Sequence, residues 1–352
     1  MGDLLEAVKE KLAPRHLATL SRPSSWRKVY RRMLIRYLDP ERPQPFPRKV
    51  QIEATSKCNL RCTCCPHSRE ADKGQHLGPD ELRELLGRLP RLPARVVLSG
   101  IGEPLVNPRF FELVDALSER RIQCQFYTNG TLLTTRKCEE IISRPSIFKV
   151  EISCDGVCKE TFEELRPGAD FDRWTRAVRE FVAKTREARK QRRRLRVGAL
   201  TVLNKRTLGE IEGIIRLAAD LGFDHITILD TVPIDDIAAS LCASQADRST
   251  FSREDLSALG RTVGIGVFFE LRREQTPPKA RLRCLQPWEY VFIRAGGDVA
   301  PCCALFGSDK AAVVGNLLQD GFADIWHGER FREFRRTSSL GTNPLCRACT
   351  LY

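Results

Sequence analysis

Apolar residues along this chain alternate between two spacings, one typical of buried strands and the other of amphipathic helices. Six short apolar or alternating runs are each followed by a helical pattern, and they predict strands at Lys49–Ala54, Val96–Leu98, Gln123–Tyr127, Phe148–Ser153, Val197–Leu203 and Ile226–Leu229. Strands that alternate with helices pair in parallel through right-handed crossovers. The pattern therefore predicts an α/β fold with its active site at the carboxyl ends of the strands.

The helical patterns between these strands carry their own start signals. Pro79 begins the first helix, and Thr207 with Glu210 predicts a capping box at the start of the last one. The basic run at residues 189–194 suits a helix carboxyl end, where cations interact well with the helix dipole. Six such units are too few for a closed eight-stranded barrel.

Residues 1–48 form a basic N-terminal extension. Apolar residues recur at helical spacing from Trp26 to Leu38, opposite a row of arginines, and four prolines follow before the first strand. Docking of this helix onto the main domain is the favoured interpretation. The alternatives are a helix that lies on a membrane surface and a helix that binds an acidic leader peptide.

Composition narrows the class of protein. The chain has 352 residues, 42% of them hydrophobic and 29% charged, enough for a large domain and a smaller one. It has no apolar run long enough to cross a bilayer and no signal-peptide pattern, and its fourteen cysteines then indicate a reducing, cytoplasmic setting. The net charge of +13 invites anionic partners, so a zinc-stabilised nucleic-acid-binding protein is one hypothesis.

A short loop directly after the first predicted strand carries three cysteines in the spacing C-x3-C-x2-C: Cys58, Cys62 and Cys65. Three thiolates from one tight loop can bind three irons of a 4Fe–4S cluster, which leaves the fourth iron open for another ligand. A zinc site normally takes four ligands in two pairs, and Cys64 can supply a fourth sulfur. Strand and loop together favour the reactive cluster.

At this point the sequence resembles the radical S-adenosylmethionine (radical SAM) enzymes. The resemblance implies a partial (β/α)6 barrel over residues 49–235, with SAM bound to the open iron. Strand two ends in Ser-Gly-Ile-Gly-Glu-Pro, similar to the family's Gly-Gly-Glu-Pro motif, which holds the SAM amino group. Ile101 departs from the usual glycine. The motif assigns to the cofactor the residues Gly100, Gly102, Glu103 and Pro104.

Three further residues are assigned to SAM, and the resemblance covers two of them, Ser153 and Arg166. Asn129 lies in the turn after strand three, and Ser153 lies in a segment similar to the family's Ile-Ser-Leu-Asp-Gly. Arg166 matches an arginine that pairs with the SAM carboxylate, which suits its bidentate geometry. Cys64 replaces the aromatic residue that usually packs on adenine, and an exchange of ligand roles with Cys65 stays open.

The last quarter of the chain holds a second cysteine set around a predicted hairpin through Gly296–Asp298. On spacing alone, zinc and iron–sulfur are both open. The arrangement resembles the SPASM, or twitch, domain of radical SAM dehydrogenases over residues 284–352. That resemblance implies one auxiliary 4Fe–4S cluster on Cys284, Cys302, Cys346 and Cys349. Cys303 is the alternative to Cys302.

Residues 236–283 are left as a connecting segment, and the thiols predicted to be buried and inert are Cys124, Cys138, Cys158 and Cys242.

The resemblance also implies the chemistry. A 5′-deoxyadenosyl radical abstracts hydrogen from the substrate, and an auxiliary cluster favours net oxidation, as in a dehydrogenase. The predicted electron donor is a flavodoxin- or ferredoxin-type protein. The short N-terminal extension favours a small polar substrate such as a sugar, cyclitol or aminoglycoside, with a ribosomally made peptide as the alternative. The sequence assigns no catalytic acid or base.

Overall fold

The structure, a computed structural model, describes residues 45–69, 74–190, 194–231, 236–243, 250–270, 284–302 and 312–347, together with residues 41, 43 and 247. The predicted N-terminal helix at 26–38 lies outside the described residues, as do Cys303 and Cys349.

One ten-stranded sheet organises the described residues, in the order β10-β9-β8-β1-β2-β3-β4-β5-β6-β7. Its strands are β1 (Lys49–Ile52), β2 (Arg95–Leu98), β3 (Gln123–Thr128), β4 (Ile147–Ser153), β5 (Arg196–Leu203), β6 (His225–Asp230), β7 (Gly266–Glu270), β8 (Tyr290–Ile293), β9 (Asp298–Ala300) and β10 (Gly315–Asn316). Strands β1 to β7 are parallel to their neighbours, and β8 joins the other side of β1, also in parallel. The predicted α/β architecture is confirmed.

Helices connect these strands and cover one face of the sheet. They are α1 (Pro79–Gly87), α2 (Phe110–Glu119), α3 (Thr135–Ser143), α4 (Lys159–Leu165), α5 (Phe171–Lys190), α6 (Ile211–Leu221), α7 (Asp236–Leu241), α8 (Arg253–Val263), α9 (Gln286–Glu289), α10 (Phe322–Trp326), α11 (Glu329–Leu340) and α12 (Pro344–Arg347). None of the helices in the described part of the chain combines the length and apolar character needed to span a membrane.

The two faces of the sheet differ in what they carry. Alternate strand residues such as Val50, Val150 and Ile226 are fully buried beneath the helices in one hydrophobic core. The residues between them, such as Gln51, Tyr127 and others in the same registers, point to the opposite face, which we call the inner face. Burial of the apolar set fixes the register, because a one-residue slip would move it to the other face.

Two details of the sequence prediction differ in the structure. Strand β7, which pairs with β6, was not predicted from the sequence. The capping box is wrong: the Thr207 hydroxyl donates to the carbonyl of Val202 at 2.9 Å, while the Glu210 carboxylate accepts from the backbone N–H of Val157 at 3.0 Å. Both side chains therefore fasten the loop after β5 and the loop before α4.

Candidate cofactor and cluster site

The cluster loop (residues 58–65) follows β1 and is tied to the end of α4. The backbone N–H of Arg61 donates to the Pro167 carbonyl at 3.3 Å, and that of Thr63 donates to the Leu165 carbonyl at 3.1 Å. Within the loop, the Cys65 N–H donates to the Cys62 carbonyl at 3.2 Å. These bonds hold the backbone of the loop independently of its thiols.

The thiols of this loop are partly buried and close enough to influence one another. Burial is the main cause that raises the pKa of Cys64 to about 11 and that of Cys65 to about 12, and the neighbouring thiols contribute to the rise at Cys65. Burial also raises the pKa of Cys58 and of Cys62. Crowded thiols of this kind are costly to ionise unless a cation compensates them.

Backbone donors already point at two of the sulfurs. The N–H groups of Leu60 and His67 hydrogen-bond to the sulfurs of Cys58 and Cys65, respectively, and lower their pKa values. Within the described residues, no three His, Cys, Asp or Glu side chains are grouped to hold a single metal ion. A cubane instead takes each sulfur on a different iron. The crowded thiols and the amide donors thus fit an iron–sulfur cluster on Cys58, Cys62 and Cys65.

The glycines after β2 are required by close contact with the cluster loop and the strand before it. A Cβ on Gly102 would lie 2.4 Å from the Lys57 carbonyl oxygen, and one on Gly100 would lie 2.3 Å from the Glu53 side chain. The Glu103 N–H also donates to the Lys57 carbonyl at 2.9 Å. The segment assigned to SAM is therefore fastened to the residue that precedes Cys58.

Glu103 is buried and surrounded by donors. Its carboxylate accepts from the Asn129 N–H at 2.7 Å, from the Thr128 hydroxyl at 2.7 Å and from the Leu105 N–H at 3.1 Å. Burial raises the pKa of Glu103, and these three hydrogen bonds oppose that rise. Pro104 is buried directly behind it, at the start of a single 3-10 turn at Pro104–Val106.

Asn129 connects the turn after β3 to the cluster loop. Its side-chain amide donates to the Asn59 side-chain oxygen at 3.0 Å, and the Asn59 amide donates in turn to the Thr131 hydroxyl at 2.9 Å. Gly130 has φ +79°, and a Cβ there would lie 2.6 Å from the Trp174 ring nitrogen, so the turn needs glycine.

Arg166 and Asp155 form a buried ion pair beside the cluster loop. Arg166 Nη1 lies 4.0 Å from Cys62 Sγ. Burial acts to lower the pKa of the Arg166 guanidinium, but Asp155 and Cys62 outweigh it, so the net shift is upward. The Nε–H of Arg166 is buried and has no hydrogen-bond partner in the described part of the chain, which leaves it available to an anionic ligand. Ser153 is half-buried at the end of β4, two residues before Asp155.

The described members of the second cysteine set are partly buried, and two of them have hydrogen-bond partners nearby in the sequence. The Gln286 N–H donates to Cys284 Sγ at 3.3 Å, and the Ser338 hydroxyl lies 3.3 Å from Cys346 Sγ. Cys302 follows β9, the second strand of the predicted hairpin, which is confirmed. Cys124 and Cys138 are buried as predicted, whereas Cys158 and Cys242 are only partly buried because each lies at the end of a helix.

Sequence reasoning missed Glu53, a buried carboxylate that joins three segments of the site. Its Oε1 accepts from the Ile101 N–H at 3.0 Å and its Oε2 from the Ala295 N–H at 3.3 Å. Glu53 therefore links β1 to the SAM segment and to the C-terminal hairpin. Its only signal in the sequence is a carboxylate at the end of an otherwise buried strand. Asp155 was visible as part of the Ser-Cys-Asp-Gly segment, but its pairing with Arg166 was not.

Comparison with known proteins places these features in a family. A sequence model of the radical SAM superfamily matches residues 52–218, and a model of an iron–sulfur cluster-binding domain, SPASM, matches residues 284–350. Among solved structures, SuiB of Streptococcus suis bound to its precursor peptide SuiA has a TM-score of 0.64 at 17% identity, over 94% of this chain and 76% of SuiB.

Curated relatives have several activities. The cofactor-modifying protein of the tungsten-containing aldehyde ferredoxin oxidoreductase of Pyrococcus furiosus is 24% identical, over 86% of this chain and 87% of its own. The mycofactocin maturase MftC of Mycobacterium tuberculosis is 29% identical, over 89% and 78%. The PqqA peptide cyclase of Bradyrhizobium diazoefficiens is 26% identical, over 86% and 79%. The chain belongs to the radical SAM superfamily and carries a C-terminal SPASM domain, so its cofactors are SAM and iron–sulfur clusters.

Proposed function

We propose that this radical SAM enzyme modifies a ribosomally made peptide. The observation that carries the substrate class is the set of relatives matched along most of the chain, which includes a peptide cyclase and a mycofactocin maturase. These relatives favour the peptide alternative over the small polar substrate that sequence reasoning placed first. A sugar, cyclitol or aminoglycoside is therefore the competing outcome of the tests below.

When bound, the cluster and SAM supply a 5′-deoxyadenosyl radical that abstracts a hydrogen atom. The residues of this chain hold and orient them. Cys58, Cys62 and Cys65 bind the cluster, with the Leu60 and His67 amides directed at two of its sulfur ligands. Arg166 keeps its positive charge beside Cys62 and offers its free N–H to the SAM carboxylate.

The other assigned residues position the cofactor from the ends of neighbouring strands. Glu103 is fixed by three donors and faces the SAM amino group, while Gly100, Gly102 and Pro104 shape the segment around it. Asn129 and Ser153 border the same site from β3 and β4. In the SPASM domain, Cys284, Cys302, Cys346 and Cys349 would hold the auxiliary cluster, which would supply an acceptor for the electron left on the substrate after hydrogen abstraction. With loss of a proton as well, the peptide would be oxidised by two electrons overall.

Anaerobic reconstitution with iron and sulfide tests the cofactor assignment. We expect about eight irons per chain, from two four-iron clusters, and release of 5′-deoxyadenosine when dithionite or a reduced flavodoxin is added with SAM. Replacement of Cys58, Cys62 or Cys65 by serine abolishes this release, whereas the Cys158→Ser control retains it. Zinc retention without SAM cleavage would contradict the proposal.

Incubation with candidate substrates tests the substrate class. Short peptides encoded beside the gene are compared with sugars, cyclitols and aminoglycosides, and products are examined by mass spectrometry. We expect a peptide product that is lighter by two hydrogens. Turnover of a sugar with no peptide product would support the competing function instead.

A further inference from the structure

The inner face of the sheet is divided into two halves of different chemistry. In the half formed by β8, β1, β2 and β3, polar side chains bond to one another or to the backbone. The Tyr290 hydroxyl donates to the Gln51 side chain at 2.8 Å, whose amide donates to the Ser99 carbonyl at 2.9 Å. The Ser99 hydroxyl accepts from the Tyr127 N–H at 2.8 Å. The polar groups of this half are thus largely satisfied within the protein.

The other half, on β5, β6 and β7, is apolar. Register aligns Ser153, Leu200, Thr227 and Phe268 in one row across β4 to β7, and Val202, Leu229 and Glu270 in the next row across β5 to β7. We call Leu200, Val202, Leu229 and Phe268 the apolar patch. None of the four belongs to the hydrophobic core beneath the helices. They occupy the alternate positions of strands whose other residues fill that core.

Exposure of the apolar patch is unusual for this chain. Phe268 is 57% exposed, the highest value among the large apolar residues in the described part of the chain, and the other three members are half-buried. Large apolar side chains exposed together beside a reactive site are typical of a ligand contact.

The apolar patch lies next to the cluster loop through a short chain of contacts. The Val202 N–H donates to Asp155 Oδ1 at 2.8 Å. Asp155 pairs with Arg166, and Arg166 Nη1 is 4.0 Å from Cys62 Sγ. A group resting on the patch is therefore near the end of β4, where Ser153 borders the predicted SAM site.

A row of polar residues borders the apolar patch on the side of the strand starts. His225 Nε2 lies 3.1 Å from Glu151 Oε1, across a glycine at position 198 where a Cβ would lie 2.2 Å from Glu151 Oε2. Lys149 contacts the same carboxylate, and the His225 ring meets the Phe268 ring edge-on at 5.8 Å. These polar groups lie on the side of the strand starts, and the apolar patch lies between them and the strand ends.

We propose that the apolar patch binds an aliphatic or aromatic side chain of the peptide substrate during hydrogen abstraction. This inference rests on the proposed function and specifies its substrate. A sugar presents hydroxyl groups over its whole surface, and each hydroxyl that contacts the apolar patch would lose its hydrogen bonds to water. The four members of the apolar patch have no polar side-chain atom to replace these bonds, and the polar residues of the two rows are Ser153, Thr227 and Glu270. An apolar side chain has no such penalty and gains by burial.

The test measures binding of four probes to the reconstituted holoenzyme with SAM, by ligand-observed saturation-transfer NMR. The probes are N-acetyl-phenylalanine amide, N-acetyl-leucine amide, N-acetyl-serine amide and methyl β-D-glucoside. We expect the two apolar amides to bind roughly tenfold more tightly than the other probes. Phe268→Ser and Leu229→Ser each remove most of that preference. Leu92→Ser is the matched control, because Leu92 is 42% exposed and precedes β2 at the opposite end of the strands from the cluster loop.

The outcomes separate this inference from the proposed function. Equal binding of the serine amide or the glucoside, or an unchanged preference in the folded Phe268→Ser variant, overturns the apolar patch as a substrate contact. Release of 5′-deoxyadenosine by the wild type is measured in the same samples. If that release is absent the proposed function fails, and if it is present while the preference is missing only this inference fails.

Discussion

The two cysteine regions of the chain are built in different ways. The cluster loop has its cysteines within eight consecutive residues, and backbone hydrogen bonds join it to the end of α4. Cys284 and Cys346 are 62 positions apart, and each has its own local donor, Gln286 or Ser338. The thiols of the first site come from one short segment, whereas those of the second site are brought together from segments far apart in the sequence.

Each region also contains one buried arginine with a different partner. Arg166 is neutralised by Asp155 beside Cys62. Arg335, on α11, instead donates to the carbonyls of Pro287 at 2.8 Å and Trp326 at 2.7 Å, and its guanidinium lies 3.9 Å from the centre of the Phe331 ring. Burial lowers the pKa of Arg335 to about 9, so the group still carries its charge at neutral pH. The charge of Arg166 is therefore stabilised by a carboxylate, whereas that of Arg335 is stabilised by carbonyl groups and aromatic rings.

The largest expected effect separates the two cysteine regions by activity. Cys62→Ser is expected to abolish 5′-deoxyadenosine release, because it removes a proposed ligand of the SAM-binding cluster. Cys346→Ser is expected to keep that release while lowering the iron content from about eight to about four per chain, with loss of peptide product. Deoxyadenosine is measured by liquid chromatography and iron by a colorimetric assay. Loss of deoxyadenosine in both variants would contradict the independence of the two sites.

Removal of one partner of the buried ion pair gives the next effect. Arg166→Ala leaves Asp155 buried without its cation and is expected to cost about 3–5 kcal/mol in the free energy of unfolding. The double variant Asp155→Asn with Arg166→Gln costs less because no unpaired charge remains. Arg83→Ala, which breaks a surface pair with Glu119, is the control and costs far less because both partners are exposed to water. Urea unfolding monitored by circular dichroism measures all three.

Much of this arrangement was predictable from local sequence. The six βα units and the cluster loop follow from spacing alone, because hydrophobic period and ligand spacing are short-range properties. Strand β7 was missed because it is a five-residue edge strand with alternate residues exposed. The link between Glu53 and Ala295 was not predictable, because it joins residues 242 positions apart. The capping box was wrong for the same reason, because the Glu210 carboxylate accepts a hydrogen bond from the distant Val157 N–H instead of capping its own helix.

The buried arginine of the SPASM domain gives a smaller effect than the ion pair. Arg335→Lys keeps the charge but cannot reach both carbonyls in the geometry of a guanidinium, and it loses the flat contact with the rings. We expect a loss of about 2 kcal/mol in the free energy of unfolding, from one hydrogen bond to a charged group and part of the cation–π contact. The measurement is urea unfolding of the reconstituted protein. If the loss equals that of Arg166→Ala, the carbonyl groups and aromatic rings around Arg335 stabilise its charge as strongly as Asp155 stabilises the charge of Arg166.

The smallest effect tests Glu53, a buried side chain that links the SAM segment to the C-terminal hairpin. Glu53→Gln keeps the size of the side chain, but its amide nitrogen must face either the Ile101 N–H or the Ala295 N–H, and one of the two bonds is lost. We expect a loss of about 1–2 kcal/mol and faster hydrogen exchange at one of these two amides, measured by NMR or mass spectrometry. Because Oε1 makes the shorter bond, we expect the Ala295 amide to exchange faster and the SAM segment to stay protected. Faster exchange confined to Ile101 would mean that the hydrogen bond to the Ala295 N–H is the stronger of the two. Unchanged exchange at both amides would show that Glu53 does not link the two regions.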